Sequence, residues 1–186
     1  MRKLVFSMSA SLDGYINLAG PDGGGLPPPS EELHRFHNDR VRGAGLQLLG
    51  RRLYEVMRYW DTPEAVDPSN ETRLDFARIW RALPKIVYSN TLDSVEGDNI
   101  TLSHGDPVEE VRELKEGTGA EIAVGGAELA ATLTAAGLID EYHLFATPII
   151  LGSGKPLFAG DTPVDVELLE TRAFDSGVVH MRYRRV

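Results

Sequence analysis

Glu121-Ile122-Ala123-Val124-Gly125-Gly126-Ala127-Glu128-Leu129-Ala130 reads as a buried strand that turns directly into a helix. Glu121–Val124 predicts the strand, and the helical pattern of Ala127–Ala136 begins at once and closes at Gly137. A strand feeding a helix is half of a β-α-β unit, because parallel neighbours need a crossover to reach each other. The paired glycines let a backbone approach a ligand closely, and a helix start presents free N–H groups. That combination suits a pyrophosphate. The spacing is not the three-glycine dinucleotide fingerprint, and a tight turn requiring positive φ explains the pair equally well.

The same strand-turn-helix shape recurs upstream. Leu46–Leu49 predicts a strand running into Gly50-Arg51-Arg52-Leu53-Tyr54-Glu55, a helix start. Arginine there opposes the helix dipole, which a bound phosphate would compensate through bidentate guanidinium contacts. Two solvated surface arginines are the alternative. Further strands are expected at Lys3–Ser9, Lys85–Ser89, Asn99–Ser103 and Ile139–Thr147. Helices are expected after Ser30, with Leu33, Phe36, Val41 and Ala44 inward; at Glu71–Ala82, with Leu74, Ala77 and Trp80 or Ile79 inward; and from Asp106-Pro107 to Gly117.

Val164–Phe174 and Val178–Val186 predict an antiparallel hairpin turning at Asp175-Ser176-Gly177. In its second strand His180, Arg182 and Arg184 alternate with Val179, Met181 and Tyr183, which predicts one wet face. The Gly- and Pro-rich stretch from Asn17 to Pro29 reads as a long loop. The expected architecture is therefore α/β, three layers α-β-α, with a mostly parallel sheet and an antiparallel C-terminal hairpin, in one domain over residues 1–186.

Composition narrows the function. The chain has no cysteine, which excludes disulfides, thiolate metal sites and a cysteine nucleophile. Its net charge of −9 argues against a nucleic-acid partner, since counterion release needs a basic surface. No apolar run is long enough to cross a membrane, and Met1-Arg2-Lys3 leads straight into a strand, so a cytoplasmic location is expected. No metal is expected. Glu31 and His34 stand three apart as ligands can, but the pair is not repeated, and the five histidines are scattered. Gly154-Lys155 is followed by Pro156, so it is no phosphate loop, and Gly152-Ser153-Gly154 lacks the spacing of a nucleophile elbow.

Six segments, in order along nearly the whole chain, resemble the dihydrofolate-reductase-like domain that forms the C-terminal half of bacterial riboflavin-biosynthesis deaminase–reductases. They are Ser9–Ile16, Leu49–Glu55, Lys85–Asn90, Ile122–Leu129, Ile139–Leu144 and Thr147–Phe158. The resemblance implies the dihydrofolate-reductase-like fold and an NADPH-dependent reductase acting on a small heterocycle, of pterin or pyrimidine riboflavin-precursor type. It implies that Gly50, Arg51, Arg52 and Leu53 take the adenosine side, with an arginine near the 2′-phosphate. Ser89 and Asn90 would flank the adenine ribose. Val124, Gly125, Gly126, Ala127, Glu128 and Leu129 would line the pyrophosphate. Ala10, Gly14 and Ile16 would lie beside the nicotinamide. Phe36, Leu151, Gly152 and Phe158 would border the substrate, and the loop after Ile16 would be a lid.

Glu32 matches the first-helix carboxylate that protonates the pterin in dihydrofolate reductases, and Asp13 is a second candidate. The dipole at a helix start and an Asp-Gly turn explain these two residues without catalysis. A homodimer is expected from the family. The alternative to an enzyme is a dimeric NADP-binding module without turnover.

Overall fold

Short apolar runs punctuated by glycine, alternating with capped amphipathic stretches, fold as the sequence directs. The structure, a computed structural model, describes residues 1–17, 26–65 and 69–186. The strands are β1 (Leu4–Ser11), β2 (Tyr15–Asn17), β3 (Leu46–Gly50), β4 (Lys85–Tyr88), β5 (Ile100–Ser103), β6 (Ile122–Gly125), β7 (Glu141–Thr147), β8 (Lys155–Pro156), β9 (Val166–Ala173) and β10 (Val179–Arg185). The helices are α1 (Glu31–Gly43), α2 (Arg51–Met57), α3 (Glu71–Ala82), α4 (Pro107–Glu116) and α5 (Ala127–Ala135). Caps fix the helix starts as expected. Ser30 Oγ accepts from Leu33 N at 3.4 Å, Asn70 Oδ1 from Arg73 N at 3.0 Å, and Asp106 Oδ1 from Val108 N at 2.8 Å. Pro107 takes the first position of α4.

Eight strands form one sheet in the order β5-β4-β3-β6-β1-β7-β10-β9. β5 through β7 are mutually parallel, and β10 and β9 close the sheet antiparallel. The expected α/β fold class, mostly parallel with an antiparallel C-terminal hairpin, is what the chain adopts. β1 is central, which is why Leu4, Val5 and Phe6 are all fully buried. Alternation along the strands sorts the two faces. Phe6, Val124 and Tyr142 pack in one cluster with Leu133 of α5, whereas Phe145 meets Leu33 and Phe36 of α1. Among the described residues no helix is long and apolar enough to cross a membrane.

Two expectations need correction, and one element is new. β10 has no wet face at His180, which is 1% exposed, because α1 lies across it and Phe36 packs on its ring at 5.2 Å. α3 turns Thr72, Phe76, Ala77 and Trp80 inward, so Phe76 replaces Leu74 and Ile79 in the buried set. β2 and β8 form a second, two-stranded sheet that the sequence pattern does not announce. The Gly- and Pro-rich stretch expected to be a lid falls largely on residues 18–25, outside the described residues.

Candidate functional site

The two strand-to-helix bends meet because their strands are parallel neighbours. β3 and β6 pair with Leu49 opposite Gly125, so both strands end at the same level on the same side of the sheet. Gly126 has φ +99°, and a Cβ built on it would sit 3.6 Å from the amide nitrogen of Gly50. Such a φ disfavours any other residue. A Cβ on Gly125 would overlap the Leu53 side chain. β4 pairs its Tyr88 with Gly50, which carries Ser89 and Asn90 to the same edge.

The result is one cleft of about 430 Å³. Gly50, Arg51, Arg52, Leu53, Ser89, Asn90, Gly126, Ala127, Glu128 and Leu129 all line it. Val124 lies beneath it in the core, and Gly125 lines an adjoining cavity. Ala10 is buried, and neither it nor Gly14 nor Ile16 reaches the cleft wall.

Charge is concentrated in the cleft against the acidic whole. Arg51 is braced by Glu55 Oε1 at 2.8 Å and Thr91 Oγ1 at 2.7 Å. Arg52 is exposed and makes no hydrogen bond among the described residues. Lys155 Nζ holds Glu128 Oε1 at 2.7 Å, and that bond, with help from Arg52, lowers the Glu128 pKa. The sequence reading missed Thr91 and Lys155 as members of this cleft; a phosphate-loop test applied to Lys155 looks along the chain and not across the sheet.

A second cavity, about 290 Å³, shares Leu53 with the first and runs beneath α1. Its walls include Ser7 and Ser9 of β1, His34, His37 and Arg40 of α1, and the rings of Trp60, Phe76 and Trp80. A third, of about 400 Å³, lies against α5 and holds Phe158 beside Phe6 and Tyr142.

The structure therefore does not bring the expected substrate residues together. Phe36 packs against Phe145 and Phe174 on the α1 face, and Phe158 belongs to the opposite face. Leu151 and Gly152 spend their amides on Asp13, at 3.1 and 2.7 Å. The Ser11 hydroxyl and those two amides hold the Asp13 carboxyl at about 2, so it is ionised at neutral pH. Glu32 accepts from Asp175 N at 3.1 Å and Arg172 at 3.0 Å, which lowers its pKa, and it lines neither the cleft nor the α1 cavity. No group of His, Asp and Glu suited to a metal occurs among the described residues.

Comparison with known proteins bears on the fold and the family. The chain is similar to the Bacillus subtilis protein YyaP, 28% identical over 98% of this chain and 94% of that one. It superposes with a TM-score of 0.67 on the Thermotoga maritima diaminohydroxyphosphoribosylaminopyrimidine deaminase/5-amino-6-(5-phosphoribosylamino)uracil reductase, at 15% identity, covering all of this chain and 57% of that one. It superposes with a TM-score of 0.65 on Enterococcus faecalis dihydrofolate reductase complexed with NADP(H), at 17% identity, covering 98% and 96% of the two chains. The family described as the RibD C-terminal domain matches residues 2–180. By sequence over nearly its full length, and by a fold shared with dihydrofolate reductase, this chain belongs to the RibD C-terminal domain family.

Proposed function

We propose that the protein is an NADPH-dependent reductase that passes hydride to a small heterocycle. The cofactor would lie in the cleft between Gly50 and Gly126, and the acceptor ring in the cavity beneath α1. The observation that carries this reading is the β3–β6 register, which brings two glycine bends, Arg51 and Arg52 to one cleft that shares Leu53 with a ring-walled cavity. The Enterococcus enzyme of the same fold, solved with NADP(H), supports it. The cleft fits such a group: Gly126 holds a positive φ at the helix start that faces it, and its cations oppose a chain that is otherwise acidic.

In this reading Arg51 and Arg52 would take the 2′-phosphate, Ser89 and Asn90 the adenine ribose, and the amides of Gly126–Glu128 the pyrophosphate. When bound, the cofactor supplies the hydride chemistry. The chain's own residues orient the acceptor and exclude water, the latter through Trp60, Phe76 and Trp80. A cytoplasmic setting, where NADPH is abundant, goes with the reading. So does a homodimer, for which the exposed apolar residues Val166, Leu168 and Leu169 on edge strand β9 offer a surface.

Titration with both cofactors tests the assignment. NADPH should bind more tightly than NADH. Arg52→Ala should weaken NADPH by about tenfold, the worth of a charge-assisted contact, and leave NADH unchanged. Equal affinity of the wild type for the two cofactors would remove the 2′-phosphate assignment. A second reading, an NADP-binding module without turnover, is favoured by one observation: both candidate carboxylates, Asp13 and Glu32, are committed to backbone amides. NADPH consumption in a screen of pterin, pyrimidine and quinone acceptors separates the two.

A further inference from the structure

Building on the reductase reading, we propose that Lys155 is a further ligand for the cofactor's pyrophosphate, and that the Glu128 carboxylate competes with the pyrophosphate for it.

Lys155 stands on β8, far along the chain from the glycine bends, and the segment that follows β1 pins it. Leu12 N donates to Ile149 O at 2.8 Å, and Leu157 N donates to Gly14 O at 2.8 Å. Between these two ties, Leu151 N and Gly152 N donate to the Asp13 carboxylate at 3.1 and 2.7 Å. Lys155 itself pairs with Asn17, and Pro156 with Tyr15. A Cβ built on Gly154 would sit 1.9 Å from Asn17 O, so the approach of the two strands needs glycine there. The backbone of Lys155 is therefore set before a ligand arrives, and a group held in advance loses less freedom on binding.

The sheet order decides the direction from which the lysine comes. Arg51 and Arg52 follow β3, whereas β8 is tied through β2 to the end of β1. β6, which leads into α5, lies between β3 and β1. Lys155 thus enters the cleft from the flank opposite the two arginines. Its Nζ holds Glu128 Oε1 at 2.7 Å, in the first turn of α5. Lys155 first, and then Arg52, lower the Glu128 pKa. Cations from two flanks converge on one carboxylate beside the Gly126 bend. The start of a helix favours negative charge as well. That carboxylate marks where the cleft prefers an anion.

The two partners of this pair are not alike. The Glu128 side chain is 72% exposed and that of Lys155 only 22%. Ion pairs open to water are weak, because the solvent screens them and ordering the side chains costs entropy. Glu128 can turn outward to water while Lys155 stays in the cleft. A pyrophosphate offers more charge and more acceptor oxygens than one carboxylate, so charge-assisted bonds favour it. Arg51 differs, since Glu55 and Thr91 both hold it. The pyrophosphate is common to NADPH and NADH. Lys155 therefore acts on both coenzymes alike, whereas an arginine at the 2′-phosphate acts on NADPH alone.

The experiment titrates NADPH and NADH into the wild type, Lys155→Met and Glu128→Gln, reading nicotinamide fluorescence at low salt. Lys155→Met should weaken both coenzymes by the same factor, about tenfold, the worth of one charge-assisted contact. Glu128→Gln should tighten both about threefold, the worth of an exposed ion pair, because a neutral amide releases Lys155 and no longer repels the phosphates. A pair that merely braced the cleft would give the opposite sign, with both substitutions weakening binding. Glu128→Gln, a change on an exposed side chain, keeps the test open if the Lys155 variant does not fold. Unchanged affinity in folded Lys155→Met overturns the proposal, as does a loss confined to NADPH. So does unchanged or weaker binding in Glu128→Gln. Any of these results, with the wild type still binding NADPH, leaves the reductase reading standing. A wild type that binds neither coenzyme overturns that reading and this one with it.

Discussion

Acidification from pH 6.5 to pH 4 is expected to remove on the order of 5 kcal/mol of folding stability, and to unfold the protein before most of its carboxylates are protonated. Three histidines set this window. Burial, followed by the charge of Arg40, pushes His143 down to about 3 and His37 and His180 to about 4. An unfolded chain protonates the same rings near pH 6.5. Because the folded values are depressed, this stability is complete above pH 6.5 and is lost as the pH falls towards the folded values. Each unit is worth about 1.4 kcal/mol, and even half of these depressions over three rings reaches the stated figure. The measurement is the midpoint of thermal unfolding against pH, followed by circular dichroism. His180→Phe should flatten the slope. His180 Nδ1 is buried without a partner and the ring stacks on Phe145 at 4.6 Å, so phenylalanine keeps the ring packing and removes the titration, at the loss of the 3.1 Å contact between Nε2 and His143 Nδ1. A flat profile from pH 7 to pH 5 in the wild type would refute the account.

Glu141→Leu is expected to cost about 3 kcal/mol. The Glu141 carboxylate is buried where β7 meets β10, at 4% exposure, and it is the hub of a small network. Lys3 Nζ reaches Oε1 at 2.6 Å, Arg182 Nε reaches Oε2 at 2.8 Å, and His143 Nε2 stands 3.4 Å from Oε2. Arg40 can only donate, so His143 Nδ1 accepts from it and His143 Nε2 carries the proton that points to Glu141. Burial alone would raise the Glu141 pKa, but the Arg182 and Lys3 bonds prevail and hold it at about 2. Its contribution is therefore present above the unfolded carboxylate range and lost as the pH falls from about 4.5 towards 2. Leucine would leave Arg182 and the His143 N–H without their acceptor. The cost stays at the low end for a broken buried pair because Lys3 and Arg182 can turn to water. Chemical denaturation with a two-state fit measures it. A loss below 0.5 kcal/mol would show the network to be ornamental to stability.

The parallel sheet and the cleft between the two glycine bends were legible because both rest on local signals. Gly50 and Gly125-Gly126 each punctuate an apolar run, and a strand that ends in glycine before a helix fixes where the chain bends. The cavity beneath α1 was illegible for the opposite reason. It draws on β1, α1, α2, α3 and β7, and its α1 face, His34 and His37 one turn apart, has the look of a scattered polar stripe until the sheet lies beneath it. His180 deceived in a related way. Its alternation with Met181 and Tyr183 is that of a half-exposed strand, and only the crossing of α1 buries it. Phe36 and Phe158 were grouped as one substrate wall, yet the sheet lies between them. The β2–β8 pair escaped notice because two or three residues cannot display a period.

The position of β1 also bears on how the molecule is made. Of the strands of this sheet, the earliest in sequence lies in the middle of the finished sheet, and its two neighbours begin only at Ile122 and Glu141. Until those neighbours are made, Leu4, Val5 and Phe6 have both edges bare, so the growing chain carries an unpaired apolar segment prone to association. Closure of the sheet therefore waits on the slow pairing of segments that lie far apart along the chain.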